Sequence, residues 1–162
     1  MATDRWSVHK FGGSSVADAA CFRRVAAIVE NEAHARLAVV LSACRGVTDA
    51  LIGLVTAAER RDTQACRDGL DALRARHAAI ADELLPPPER EAYLSGLDAD
   101  LTDIRGVLHT VSLLRSAGQN VHDLIAGHGE IWSTRLFAAY LASRGKRGAV
   151  RWIDAREVVT VE

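Results

Sequence analysis

The sequence predicts an α/β fold with a small parallel sheet and a large helical share, and three observations carry that prediction. An apolar segment containing Trp6, Val8 and Phe11 ends at Gly12-Gly13 and gives way to a helical pattern. Residues 37–41 (Leu-Ala-Val-Val-Leu) form a short, continuous apolar run with β-branched members, as expected of a parallel strand buried on both faces. From residue 63 to 145 the pattern is helical almost throughout.

Taken in order, the first strand leads through the glycine pair into a helix over residues 16–34. Cys21, Phe22, Val25, Ile28 and Val29 recur there at helical spacing. Ser15 followed by Asp18 resembles a capping box, whose side chains satisfy the first free N–H groups. Strand, helix and strand between Trp6 and Leu41 make a βαβ unit, expected to be right-handed. A loop over residues 42–48 (Ser-Ala-Cys-Arg-Gly-Val-Thr) follows, then a helix over 49–61. Ligand sites in such sheets lie beyond the carboxyl ends of the strands, so the glycine pair and this loop should face one crevice.

Pro86-Pro87-Pro88 and residues 116–120 interrupt the long helical region. Leu101, Ile104, Val107, Leu108 and Val111 mark one helix, and Leu124, Ile131, Leu136, Phe137 and Tyr140 belong to the next. Gly145 is a plausible stop. Residues 149–153 (Ala-Val-Arg-Trp-Ile) are expected to form a third strand leading to Asp154. Three strands under so large a helical load predict the first part of a longer catalytic unit, because a doubly wound sheet continues. A sheet cut there leaves an unpaired edge near 149–153, and such an edge tends to pair with another chain. Weak self-association of this chain is therefore expected.

At 162 residues, with 49% hydrophobic and 25% charged residues, the chain has the composition of a soluble globular domain. A formal net charge of −1 argues against a nucleic-acid surface, which shows a basic excess. Aromatics at 5% supply no base-stacking platform. Cys21, Cys44 and Cys66 are odd in number and widely spaced, which fits reduced cytoplasmic thiols and neither a disulfide framework nor a zinc site. The first residues lack the apolar core of a signal peptide, and no apolar run approaches the ~18 residues that span a membrane.

Two stretches could carry chemistry. In Lys10-Phe-Gly-Gly-Ser-Ser15, glycines without Cβ atoms let a ligand approach the backbone. The next helix offers free N–H groups to an anion, and Lys10 adds a full positive charge. The spacing is neither that of a P-loop nor of G-x-G-x-x-G. A phosphate cradle and a turn whose glycines merely avoid strain both remain open. In Gly127-His-Gly-Glu-Ile-Trp-Ser133, two glycines inside a helix cost ~1 kcal/mol each relative to alanine. Close approach of a ligand, with Glu130 binding a cationic group, and tight packing against a neighbour both account for that cost. His122 and His128 lack the spacing of metal ligands, and His9 reads as structural. The charge runs at 60–62 and 74–77 read as solvated helix faces.

Taken together, Lys10-Phe-Gly-Gly-Ser-Ser-Val-Ala-Asp18, Val-Val-Leu-Ser42-Ala with Thr48 downstream, and His-Gly-Glu130 with Ser133 resemble aspartate kinase. The resemblance runs from residue 8 to Asp154-Ala-Arg156, and three motifs in the family's order are more specific than any one. It implies the amino-acid kinase (carbamate kinase-like) fold, a three-layer αβα sandwich, with residues 1–162 as its N-terminal, phosphoryl-acceptor lobe. By the resemblance, Lys10 neutralises the transferring phosphoryl group, Gly12 and Gly13 supply backbone donors to it with Ser14 beside them, and Ser42 faces the same site. Thr48 and Glu130 hold aspartate, the glutamate at its α-ammonium. Position 14 is often threonine in the family, and serine keeps the hydroxyl.

The implied activity is transfer of the γ-phosphoryl of ATP, with Mg2+, to the β-carboxylate of L-aspartate. The product, 4-phospho-L-aspartate, begins lysine, threonine and methionine biosynthesis. A cytoplasmic homo-oligomer is implied for the complete protein. In the family a second lobe supplies the nucleotide pocket, a catalytic aspartate and an arginine for the α-carboxylate, and regulatory domains follow. No segment of this chain matches them, so the chain alone is expected to be inactive. Another amino-acid kinase, acting on glutamate, acetylglutamate or carbamate, and a non-catalytic binding or assembly module are the alternatives.

Overall fold

The structure is a computed structural model that describes residues 5–34 and 36–158. Residues 1–4, part of the stretch read for a leader, lie outside them. Strand β1 (Trp6–Phe11) is followed by one 3-10 turn (Gly13–Val16) and helix α1 (Ala19–Glu30), which crosses to β2 (Arg36–Leu41). Four helices then build the bulk of the molecule: α2 (Val47–Glu59), α3 (Thr63–Leu84), α4 (Pro87–Leu114) and α5 (Gln119–Arg144). A single turn, α6 (Ala155–Val158), ends the described chain.

The βαβ unit forms as expected. β1 and β2 are parallel and paired from Trp6↔Arg36 to Phe11↔Leu41. The helix start differs from the capping box expected at Ser15. Asp18 is itself the cap, accepting from the Cys21 N–H at 2.8 Å, and that bond holds its carboxyl below the usual range. The intervening residues turn as a 3-10 helix because Ser15 N–H reaches back to Gly12 O at 2.9 Å.

β2 is not buried on both faces. Phe11, Leu37, Val39 and Leu41 pack on the core, whereas Val40 is 50% exposed and Trp6 and Val8 are 63% and 65% exposed. Helices cover one face of a sheet that has two strands among the described residues, so burial alternates with the pleat. Residues 149–153 do not add the expected third strand. Side chains dock this segment instead: Trp152 Nε1 donates to Thr134 Oγ1 at 3.0 Å, and the Arg135 guanidinium lies 5.1 Å from the Trp152 ring centroid. The edges left without a partner strand among the described residues are therefore those of β1 and β2.

The helical layer closes its own core. Pro86 precedes α4 in an extended conformation with Pro87 at the first helical position, where its missing N–H costs nothing. Gly145 ends α5 in the left-handed region at φ 65, as expected. The charge runs are not simply solvated faces. Asp62 caps α3 through the Ala65 N–H at 2.9 Å, and His77 is fully buried. Its Nδ1 donates to Leu73 O at 2.8 Å and its ring meets Trp132 edge-on at 5.1 Å. Burial pushes the imidazole pKa down. Trp132, also fully buried, donates through Nε1 to Asp100, which pairs with Arg135 at 3.0 Å. Helix α5 is thus tied to α4 through Asp100, which Trp132 and Arg135 both reach.

Candidate functional site

The carboxyl ends of β1 and β2 open into two loops that are laced together. Ser42 N–H donates to Phe11 O at 3.0 Å and Arg45 N–H to Gly13 O at 3.1 Å. The two glycines of the turn divide the work. A Cβ on Gly13 would lie 2.7 Å from Ala43 O, a distance that side-chain carbons do not tolerate against backbone. A Cβ on Gly12 would meet nothing within 4 Å. Gly12 has φ −79 and ψ 170, extended backbone that any residue adopts, so neither strain nor packing asks for glycine there.

The 42–48 loop enters α2 at Gly46, whose φ of 79 is one that L side chains rarely adopt. The helix begins at Val47, two residues earlier than expected, and no side chain caps it. Its first turn therefore presents uncapped N–H groups and the positive end of the helix dipole, with Thr48 half-buried within that turn. Cys44 lies in the same loop but is buried, and desolvation pushes its thiol up to about 11. That thiol is a packing group and not a nucleophile.

Helix α5 closes the third side. A Cβ on Gly129 would come within 2.7 Å of the Ala43 Cβ and 3.3 Å of Val47 Cγ1, while one on Gly127 would meet nothing within 4 Å. Ser133, fully buried, donates from Oγ to Ser42 O at 2.8 Å. Between them stands Glu130, half-buried, with no cation against its carboxylate among the described residues. His128 is buried and donates from Nδ1 to Leu124 O at 2.9 Å, the role of a packed histidine. Among the described residues no group of three or more His, Cys, Asp or Glu could hold a metal ion.

The segments bearing Gly12, Gly13, Ser14, Ser42, Thr48 and Glu130 thus converge on one edge of the sheet. Lys10 pairs in register with Val40 near that edge, is exposed and has no ion-pair partner among the described residues. Sequence reasoning missed Ala43, the pivot touched by both Gly13 and Gly129, and the role of Ser133 as the pin between α5 and the loop. A small residue beside Ser42 and a hydroxyl at Ser133, one turn after Glu130, were the available signals. Neither names its partner.

Residues 5–159 match the amino acid kinase family, and the chain belongs to that family. The relatives found within it are aspartokinases. The bifunctional aspartokinase/homoserine dehydrogenase 1 of Arabidopsis thaliana, a chloroplastic protein, is 34% identical over 98% of this chain and 17% of its own length. The lysine-sensitive aspartokinase 3 of Escherichia coli is 35% identical over 94% of this chain and 31% of its own length. The crystal structure of Escherichia coli aspartokinase III with lysine and aspartate superposes with a TM-score of 0.77 at 33% identity, covering 93% of this chain and 32% of that one. The fold is accordingly that expected for the N-terminal lobe of the amino-acid kinase fold. The chain spans between about a sixth and a third of the length of these relatives.

Proposed function

We propose that this chain is the acceptor lobe of an aspartate kinase, and that residues 1–162 form that lobe as one unit. The observation that carries the reading is the junction of the Gly12 turn, the 42–48 loop and α5, locked by the Gly13–Ala43 and Gly129–Ala43 contacts and by Ser133 on Ser42 O. In this reading the open side of Gly12 and the free amine of Lys10 receive the γ-phosphoryl group of ATP, with Ser14 and Ser42 beside it. Thr48 and the uncapped start of α2 suit a carboxylate of aspartate, and the unpartnered carboxylate of Glu130 suits its α-ammonium. An oxygen of the β-carboxylate attacks the γ-phosphorus, the bond to the bridging oxygen of ADP breaks, and 4-phospho-L-aspartate and ADP result. Little covalent work falls to the protein in such a transfer, and positioning and charge stabilisation dominate.

The residues described here provide no cage for a metal ion. The Mg2+ that accompanies ATP is held largely through phosphates and water, and its chemistry is to neutralise phosphate charge. Escherichia coli aspartokinase III has also been crystallised with aspartate and ADP, a structure that matches this chain at 34% identity with a TM-score of 0.73, and this supports a nucleotide-using reading. Three free thiols suit a reducing compartment such as the cytoplasm. Lysine, threonine and methionine biosynthesis, and a homo-oligomeric complete protein, belong to the same reading.

The test uses the complete protein that contains this lobe. Lys10→Ala should lower kcat by 10²–10³-fold, the scale of one preorganised electrostatic group, with little change in the KM for aspartate. Glu130→Gln should raise that KM with kcat nearly kept, because its ion pair exists before and during transfer. Preference for glutamate over aspartate, or an unchanged kcat in Lys10→Ala, overturns the reading. The 162-residue chain alone should form no hydroxylamine-trappable aspartyl phosphate, since the wall expected to hold ATP has no counterpart in its sequence.

A further inference from the structure

At the far end of α2 from the candidate site lies a second cleft, of about 320 Å3, between the start of α3 and the end of α4. Helix α2 has 13 residues, so ~20 Å of helix separates the two places. The cleft has an apolar floor and a cationic rim. Ala58, Leu70 and Leu108 are buried at its base. Arg61, Arg67 and Arg105 are exposed around it, and no carboxylate lines it. The two helices present the same pattern, an arginine followed three residues later by a buried leucine: Arg67 with Leu70, and Arg105 with Leu108. That spacing puts each pair on one helix face.

Arg67 and Arg105 have no ion-pair or hydrogen-bond partner among the described residues. Arg61 donates from Nε to Ser112 O at 3.1 Å, which aims it across the cleft and leaves its terminal nitrogens free. Its backbone sits in the left-handed region at φ 61, where glycine is the ordinary choice and a long side chain carries a cost. The nearest acid in sequence, Asp62, is committed to capping α3. Three unneutralised guanidiniums over an apolar floor suit a ligand with a planar or tetrahedral anionic head and a compact apolar body. The volume is at the small end of ligand pockets.

We infer that the cleft between α3 and α4 binds a small organic anion whose carboxylate or phosphate head meets Arg61, Arg67 and Arg105 while its apolar body rests on Leu70 and Leu108. This site is independent of the phosphoryl-transfer reading and is tested without turnover. The full 162-residue chain, labelled with 15N, is titrated with phenyl phosphate, 3-phenylpropionate, the neutral 3-phenylpropionamide and inorganic phosphate. At least one aromatic anion should bind at millimolar concentration or below, with amide shifts concentrated at residues 58–70 and 105–112, and should slow alkylation of the half-buried Cys66. The tighter of the two identifies the head group. The Arg67→Gln/Arg105→Gln variant, altered only at exposed positions, should keep the wild-type circular dichroism and weaken binding at least tenfold. Equal binding of the amide, inorganic phosphate binding as tightly as phenyl phosphate, shifts scattered over the surface, or an unaffected double variant would each overturn the inference.

Discussion

The Gly12-Gly13 turn and the 127–129 stretch of α5 use their glycines in the same way, although one is a strand exit and the other lies inside a helix. In each, one glycine is crowded and the other open. Gly13 stands against the carbonyl of Ala43 and Gly129 against its methyl, both at 2.7 Å for a notional Cβ. Gly12 and Gly127 have nothing within 4 Å. The crowded member joins the segments, and the open member leaves room beside the junction. Packing and access, which compete for any one residue, are divided between two.

The sharpest way to break this comparison is Gly13→Ala. Its methyl would collide with backbone, which cannot move aside cheaply, and overpacking of that kind costs ~1–3 kcal/mol. We expect a loss near the upper end, read as a lower urea midpoint at constant m-value; an unchanged midpoint would show that the loops are not locked there. Gly129→Ala should cost less. Its clash is with the side chains of Ala43 and Val47, and alanine returns ~1 kcal/mol of helix propensity, so a net loss of ~1–2 kcal/mol is expected. A gain in stability would remove Gly129 from the junction.

Ser133→Ala tests the pin without adding volume. It removes the hydrogen bond to Ser42 O and leaves a half-buried carbonyl short of a donor, a loss of ~1 kcal/mol in chemical unfolding. If the 42–48 loop holds aspartate, KM for aspartate should also rise in the complete protein, and Ser133→Thr should restore more than Ser133→Ala if the hydroxyl is what matters. The smallest effects belong to the open glycines. Gly12→Ala is conformationally compatible and should stabilise by ~0.4–1 kcal/mol, and Gly127→Ala by up to ~1 kcal/mol. For Gly12 the gain should come with slower phosphoryl transfer, because the new methyl occupies the side proposed for the phosphoryl group. A faster or unchanged enzyme would leave that side without a ligand.

Much of this was legible before the structure. The segment with Trp6, Val8 and Phe11 and the run 37–41 are apolar over strand lengths, Pro86-Pro87-Pro88 and Gly145 bracket helices by their own backbone limits, and both glycine-bearing motifs stood out by composition. The misreadings share a cause. Residues 149–153 have strand-like composition yet dock through Trp152 and Arg135, and β2 is apolar enough for burial on both faces yet is covered on one. Composition reports what a segment would tolerate; only its neighbours decide what it meets. His77 is the clearest instance, placed in a charged run by sequence and in the centre of the core by Trp132.

The sequence by itself determined that β1, β2 and the long helices form, because caps, prolines and hydrophobic periods act within a few residues. It also determined that the Lys10–Ser15, Ser42–Thr48 and Gly127–Ser133 motifs are present and in the order that resembles the family's. The tertiary structure alone decided which glycine of each pair is crowded, that Ser133 holds Ser42 from 91 residues away, and that three arginines from two separate stretches of chain surround one apolar cleft. Those facts depend on contacts between distant segments, and such contacts follow from how whole helices pack on one another, which no local pattern encodes.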